Sequence, residues 1–174
     1  MYKTEGIVLA IQRKSDSASL VHIYTREYGK VLYMVYGGNG RGRKRSRGIN
    51  RNILTPLSWL EIEGDELSGK SLHSMKFAQL HYVPQHLSFD VRRQCLAMFM
   101  AETLYKTLRH PLSDDRVFDY ICNQIVELDT SDSIEHISSQ FVSQLSELLG
   151  YGGEPLEEFQ NLRSAALLNM LSTS

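Results

Sequence analysis

The hydrophobic period of the chain changes once, at Pro84, and that change limits the folds open to it. Before Pro84 the apolar residues come in short, β-rich runs cut by turns; after it they recur at three- and four-residue steps. Side chains alternate between faces in a strand and return every 3.6 residues in a helix, so a sheet is expected first and helices second. The reading is an α+β chain of 174 residues with two domains, 1–83 and 84–174.

Five strands are expected in the first domain. They are GIVLAIQ (Gly6–Gln12), SLVHIYT (Ser19–Thr25), KVLYMVY (Lys30–Tyr36), ILTPLSWLEIEG (Ile53–Gly64) and KSLHSMKFAQLHYV (Lys70–Val83). The tight turn EYG, Glu27–Gly29, makes Ser19–Tyr36 a hairpin. In the fourth strand Leu57, Trp59 and Glu61 alternate against Ser58, Leu60 and Ile62, and Pro56 marks an edge or a bulge. Five short strands are economically closed into an OB-type β-barrel, because closure removes exposed edges; an SH3-like barrel fits the strand count nearly as well.

The second domain reads as an α-helical bundle. Phe89–Arg109 holds no Pro or Gly; Asp90 or Ser88 suits its N-cap, and Leu96, Phe99, Met100, Thr103 and Leu104 form a face widened by Val91, Cys95 and Met98. Asp114–Leu128 carries a stripe of Val117, Phe118, Ile121, Ile125 and Leu128. A third helix, capped by Ser131–Ser133, repeats apolar residues from Ile134 to Leu148 and stops at Gly150. A fourth starts at Glu154-Pro155 and brings Leu156, Phe159, Leu162, Arg163, Ala166 and Met170 near one face.

Charge is distributed unevenly. Residues 1–60 hold eleven Lys/Arg against Glu5, Asp16 and Glu27; residues 61–174 hold eight against seventeen acids, so +8 and −9 lie under a net charge of −1. The basic half suits a polyanionic partner. Its densest stretch is GGNGRGRKRSRG, Gly37–Gly48, with five Gly and five Lys/Arg. Gly37-x4-Gly42-Arg43-Lys44 misses the phosphate-loop pattern by one residue, and RSRG follows where a helix N-terminus would have to begin. RGRKRSR also matches a nuclear import signal, as a pattern only.

No catalytic set emerges. The six histidines lack metal-ligand spacing, and Cys95 and Cys122 sit among apolar helix positions with no CxxC pair, as expected of structural thiols in a reducing cytosol. Asp114-Asp115 and Glu157-Glu158 stand at helix starts, where carboxylates suit the macrodipole. No apolar run reaches the roughly 18 residues of a membrane span, and the N-terminus reads as a strand rather than a signal peptide. No enzyme, metal, cofactor, small-molecule substrate or membrane is expected.

Nucleic acid is the expected partner. Arg41, Arg43, Lys44, Arg45, Arg47 and Arg51 lie close in sequence, and Arg13, Lys14, Arg26 and Lys30 come from strand ends of the same barrel. Tyr24, Tyr33 and Tyr36 of the hairpin are candidate stacking faces for bases, with packing as the competing reading. No base-reading element is visible, so binding should be weakly sequence-selective. An adaptor whose barrel has lost DNA binding and an RNA-binding barrel are the alternatives.

These residues also carry a resemblance. KTEGIVL, the turn KSDSA (Lys14–Ala18), Tyr24–Gly29 and the basic loop follow in the order seen in the N-terminal domain of the bacterial RecO family. PLSWLEIE (Pro56–Glu63), AETLYKTLR (Ala101–Arg109) and QLSELLGY (Gln144–Tyr151) are similar to the same family. The resemblance implies an OB domain followed by a helical domain in a cofactor-free recombination mediator of DNA repair, cytoplasmic and nucleoid-associated. Such a protein binds single- and double-stranded DNA, anneals complementary strands, and works with RecR to load recombinase onto DNA coated with single-strand-binding protein. The family's DNA contacts, basic residues of the barrel, correspond to Arg13, Lys14, Arg26, Lys30 and Arg41 to Arg51. With two cysteines the chain lacks the four-cysteine zinc module of some members, and it is shorter than the family usually runs, as a short or truncated member would be. The family's contact to the acidic tail of single-strand-binding protein would leave Arg92, Arg93, Arg109 and Arg116 as basic candidates, each also suited to an ion pair.

Overall fold

Gly6 lies where the first strand changes partners. In the computed structural model, which describes residues 1–16, 18–36, 49–64, 71–108 and 113–151, β1 (Tyr2–Arg13) pairs through Tyr2–Ile7 with β4 (Trp59–Gly64) and through Gly6–Arg13 with β2 (Ala18–Thr25). A Cβ on Gly6 would stand 2.5 Å from Ile23 Cγ2 and 2.8 Å from Ile62 Cδ1, so only glycine allows the strand this close to both neighbours. With β3 (Gly29–Tyr36) and β5 (His73–Leu80), the strands close in the order β1-β2-β3-β5-β4. All neighbours are antiparallel except β3 and β5. This is an OB-type barrel.

The β2–β3 hairpin runs in register from Ala18↔Tyr36 to Thr25↔Gly29. Its turn is held by Thr25, whose hydroxyl donates to Gly29 O (2.9 Å) and accepts from the Tyr28 N–H (3.2 Å). Val8, Val21, Ile23, Val31, Tyr33, Val35, Leu60, Ile62 and Met75 fill the interior. The Tyr33 hydroxyl meets that of Tyr2 at 2.6 Å inside this wall, and burial drives its pKa well above the usual phenol range.

The fourth strand is shorter than its sequence suggests. Arg51–Ile53 form a 3-10 turn, and Thr55–Ser58 close a β-turn through Ser58 N–H to Thr55 O (3.0 Å). Pro56 occupies the second position and Leu57 the third, where φ is +63°. That backbone cannot continue a pleat, so the strand begins at Trp59. Leu57 holds this left-handed conformation with its side chain buried and its N–H bonded to Val8 O (2.9 Å).

Two compact units result. One comprises Met1–Val83 with Thr107–Asp114; the other includes Pro84–Lys106 and the chain from Asp115. The helices are α1 (Val91–Thr107), α2 (Asp115–Thr130) and α3 (Ile137–Leu148). Asp90 caps α1, accepting the Arg92 N–H at 2.9 Å, and Gly150, with φ +85°, ends α3. The buried face of α1 is Ala97, Phe99, Met100, Ala101, Thr103 and Leu104; the expected Val91 and Met98 are exposed and Cys95 is half-buried. The third helix starts later than its apolar repeat, at Ile137, with Ile134 buried in the preceding turn. The fourth expected helix lies outside the described residues. Among the described residues no helix is long and apolar enough to cross a membrane.

Candidate nucleic-acid interface

One end of the barrel collects part of the expected basic set. The β1–β2 turn closes through Lys14 N–H and Ser15 N–H, both donating to Ala18 O (3.0 and 3.1 Å). Arg13 and Lys14 are exposed there, with Arg13 3.4 Å from the Asp16 carboxylate. Arg51 folds onto the same turn, its guanidinium donating to Ser19 Oγ (2.6 Å) and Asp16 O (3.3 Å). Tyr36, opposite Ala18 in register, brings β3 to this end. The residues flanking Gly37–Gly48 are thus both near the β1–β2 turn. Arg41, Arg43, Lys44, Arg45 and Arg47 themselves lie outside the described residues.

Arg26 and Lys30 belong elsewhere. They flank the β2–β3 turn, at the opposite end of β2, roughly 23 Å along an eight-residue strand. Arg26 is largely buried, with its guanidinium 3.7 Å from the Glu5 carboxylate and its N–H bonded to Glu5 O (3.0 Å). Lys30 and partial burial hold the His22 imidazole below the ordinary histidine range, burial being the larger cause. The expected single basic surface is therefore split among the described residues.

Two of the three candidate stacking rings are corrected by burial. Tyr33 is 0% exposed, because its position alternates into the barrel. Tyr24 is 1% exposed, and its hydroxyl accepts the Asp114 N–H at 3.1 Å. Neither ring can meet a base. Tyr36 is 60% exposed and remains available.

The barrel matches a known family, and likeness to known proteins runs past it into the helical unit. Residues 1–83 match the family model described as recombination protein O, N-terminal. The chain is 32% identical over 151 residues to DNA repair protein RecO of Phocaeicola vulgatus, an alignment covering 86% of this chain and 61% of that protein. It is 33% identical over 129 residues to DNA repair protein RecO of Porphyromonas gingivalis, covering 74% and 52%. The corresponding protein of Bacteroides fragilis is 28% identical over 151 residues, covering 86% and 61%. The barrel is a RecO-type N-terminal domain, and the chain is similar to RecO proteins over most of its length. It spans about three fifths of the length of the curated RecO relatives it matches over most of its own length.

In this RecO barrel the outer face of β1, β4 and β5 has a different character, which sequence reasoning missed. Trp59 stacks on His81 (centroids 4.5 Å apart, planes at 21°), and its Nε1–H donates to Glu5 Oε2 at 3.1 Å. Glu5 stands opposite Glu61, and Glu63 opposite Lys3. Lys3 lies 2.6 Å from Glu61 and holds its carboxyl below the usual range, with Gln79 as a second donor. This face sets carboxylates around its rings, with Glu5 and Glu61 each beside a cation. The alternation in WLEIEG carries the signal for Glu61 and Glu63; the stacking of residues 59 and 81 needs the β4–β5 pairing.

In the helical unit Arg92 pairs with Glu135 (3.0 Å), and Arg93 donates to the carbonyls of Leu128, Asp129 and Ser131 at the end of α2. Arg109 lies outside the described residues. Among the described residues no group of three or more His, Cys, Asp or Glu is placed to hold a metal ion.

Proposed function

We propose that the chain is a non-enzymatic DNA-binding protein of recombinational repair, acting in the bacterial cytoplasm at the nucleoid. It binds single- and double-stranded DNA at the barrel end formed by the β1–β2 turn, promotes annealing of complementary strands, and assists recombinase loading with RecR and single-strand-binding protein. The observation that carries this reading is the convergence on that end of Arg13, Lys14, Arg51 and both flanks of the basic, glycine-rich segment. Arg41, Arg43, Lys44, Arg45 and Arg47 would add their charge there. The DNA repair proteins named RecO among its relatives support the same reading.

Physically, annealing needs no bond chemistry. Neutralising both phosphate backbones lowers the repulsion between strands and releases counterions. If the site engages about six phosphates of a single strand, log K falls by roughly 4 per unit of log salt concentration. Replacing Arg43, Lys44, Arg45 and Arg47 together by alanine should weaken binding to all sequences alike and flatten that slope. The decisive measurement is annealing of complementary oligonucleotides at two salt concentrations. Acceleration at low salt that the fourfold variant loses is the expected result; an unchanged affinity in that variant removes the segment from the site.

A further inference from the structure

We infer that the barrel grips nucleic acid by its sugar–phosphate backbone and stacks a single base, on Tyr36. The inference rests on the DNA-binding reading above. OB barrels receive oligonucleotides across the β2–β3 face, and sequence-tolerant single-strand binders stack successive bases on aromatic rings. The rings available to this face are decided by alternation. Val21, Ile23, Val31, Tyr33 and Val35 point into the core, so the outward row of the hairpin holds Leu20, His22, Leu32 and Met34, with Lys30 towards the turn and Tyr36 at the open end. Leu20 stands opposite Met34 and His22 opposite Leu32. Aliphatic side chains offer contact area but no planar π-face against which a base can lie.

The tyrosines of the hairpin are otherwise engaged. Tyr33 is bonded inside the barrel to Tyr2, and Tyr24 is buried with its hydroxyl on Asp114 N–H. Tyr28, at the far turn, packs edge-on against Tyr2 with centroids 5.2 Å apart. Tyr36 alone among the described hairpin tyrosines is mostly exposed, at 60%, facing only the small Ala18 across the strand pair. It sits at the end that carries Arg13, Lys14 and Arg51. His22 is the other ring of the row, half-buried between Ala10 and Leu32 in register. Backbone charge is therefore read at several points and a base at one, so base identity and base number matter little to affinity.

The test uses the full chain at low salt, with anisotropy of three labelled strands of equal length. These are oligothymidine, a wholly abasic phosphodiester, and the abasic strand with one thymine restored. Oligothymidine should bind about tenfold tighter than the abasic strand, the size of one stacked base, and the single thymine should recover that difference. Tyr36→Ala should erase the difference, while His22→Ala leaves it in place; matching thermal melts exclude misfolding. A single thymine that recovers only a small part of the difference overturns the inference while DNA binding stands. Equal affinity of all three strands, or a difference that survives Tyr36→Ala, overturns it too. Binding of none of the strands removes the DNA-binding reading and the inference with it.

Discussion

Gly6 shows how a single missing Cβ shapes the barrel. The strand must approach β2 and β4 at once, and the nearest atoms are the Cγ2 of Ile23 and the Cδ1 of Ile62. Ile23 is β-branched and stiff at χ1, so its methyl cannot swing away as the terminal methyl of Ile62 can. Gly6→Ala should therefore destabilise the barrel by about 1–3 kcal/mol, the usual range for overpacking. Urea unfolding measures it, and a variant as stable as the parent would show that β1 can shift. Leu57 is the converse case. It accepts a φ that glycine prefers because its side chain is buried. In the sequence TPLS the proline marks the turn, but nothing local shows that leucine takes the strained position.

At the scale of the element, the end of α2 is organised by Asp129. Its fully buried carboxylate accepts the N–H groups of Gln85 (2.9 Å), His86 (2.8 Å) and Leu87 (2.7 Å). Arg93 satisfies carbonyls of the same helix end from α1. A carboxylate with three backbone donors ties the irregular segment before α1 to the end of α2. Asp129→Ala should cost roughly 2–4 kcal/mol, because buried donors are left without an acceptor, and Asp129→Asn should recover only part of it. A loss under about 0.5 kcal/mol on urea unfolding would mean that water takes over the donors. This lock was not legible in sequence, since a lone Asp near a helix end reads as surface charge. Helix positions were more legible: the 3.6-residue repeat located all three described helices, yet it counted Val91 and Met98 as buried and passed over Ala97 and Ala101. Periodicity ranks residues by hydrophobicity, and small side chains that allow close packing score low.

For the whole molecule, the sign of the charge follows place as well as sequence. Arg13, Lys14 and Arg51 stand at one end of the barrel, Arg26 and Lys30 at the other, and carboxylates line the outer β1–β4 face. If the β1–β2 end is the DNA site, Arg13→Ala with Lys14→Ala should weaken single-strand binding severalfold and reduce the salt slope by about two phosphates' worth. Arg26→Ala with Lys30→Ala should leave both within about twofold, allowing only for long-range attraction screened beyond roughly 10 Å at 0.1 M salt. Equal losses from the two pairs would mean that DNA wraps the length of the hairpin.

By itself, the sequence determined the α+β order, the five strands, the three described helices and the concentration of positive charge in its first sixty residues. These are local or additive properties: periodicity, turn residues and the count of charges. The use of each residue was decided by tertiary structure. In KVLYMVY both alternating sets are apolar beyond Lys30, so pattern says little about whether Tyr33 or Met34 enters the core. Barrel closure decides it, burying Tyr33 and turning Leu32 and Met34 outward. The same closure sends Arg26 and Lys30 to one end and Arg13, Lys14 and Tyr36 to the other, because an antiparallel hairpin separates its turn from its open end by the full length of its strands.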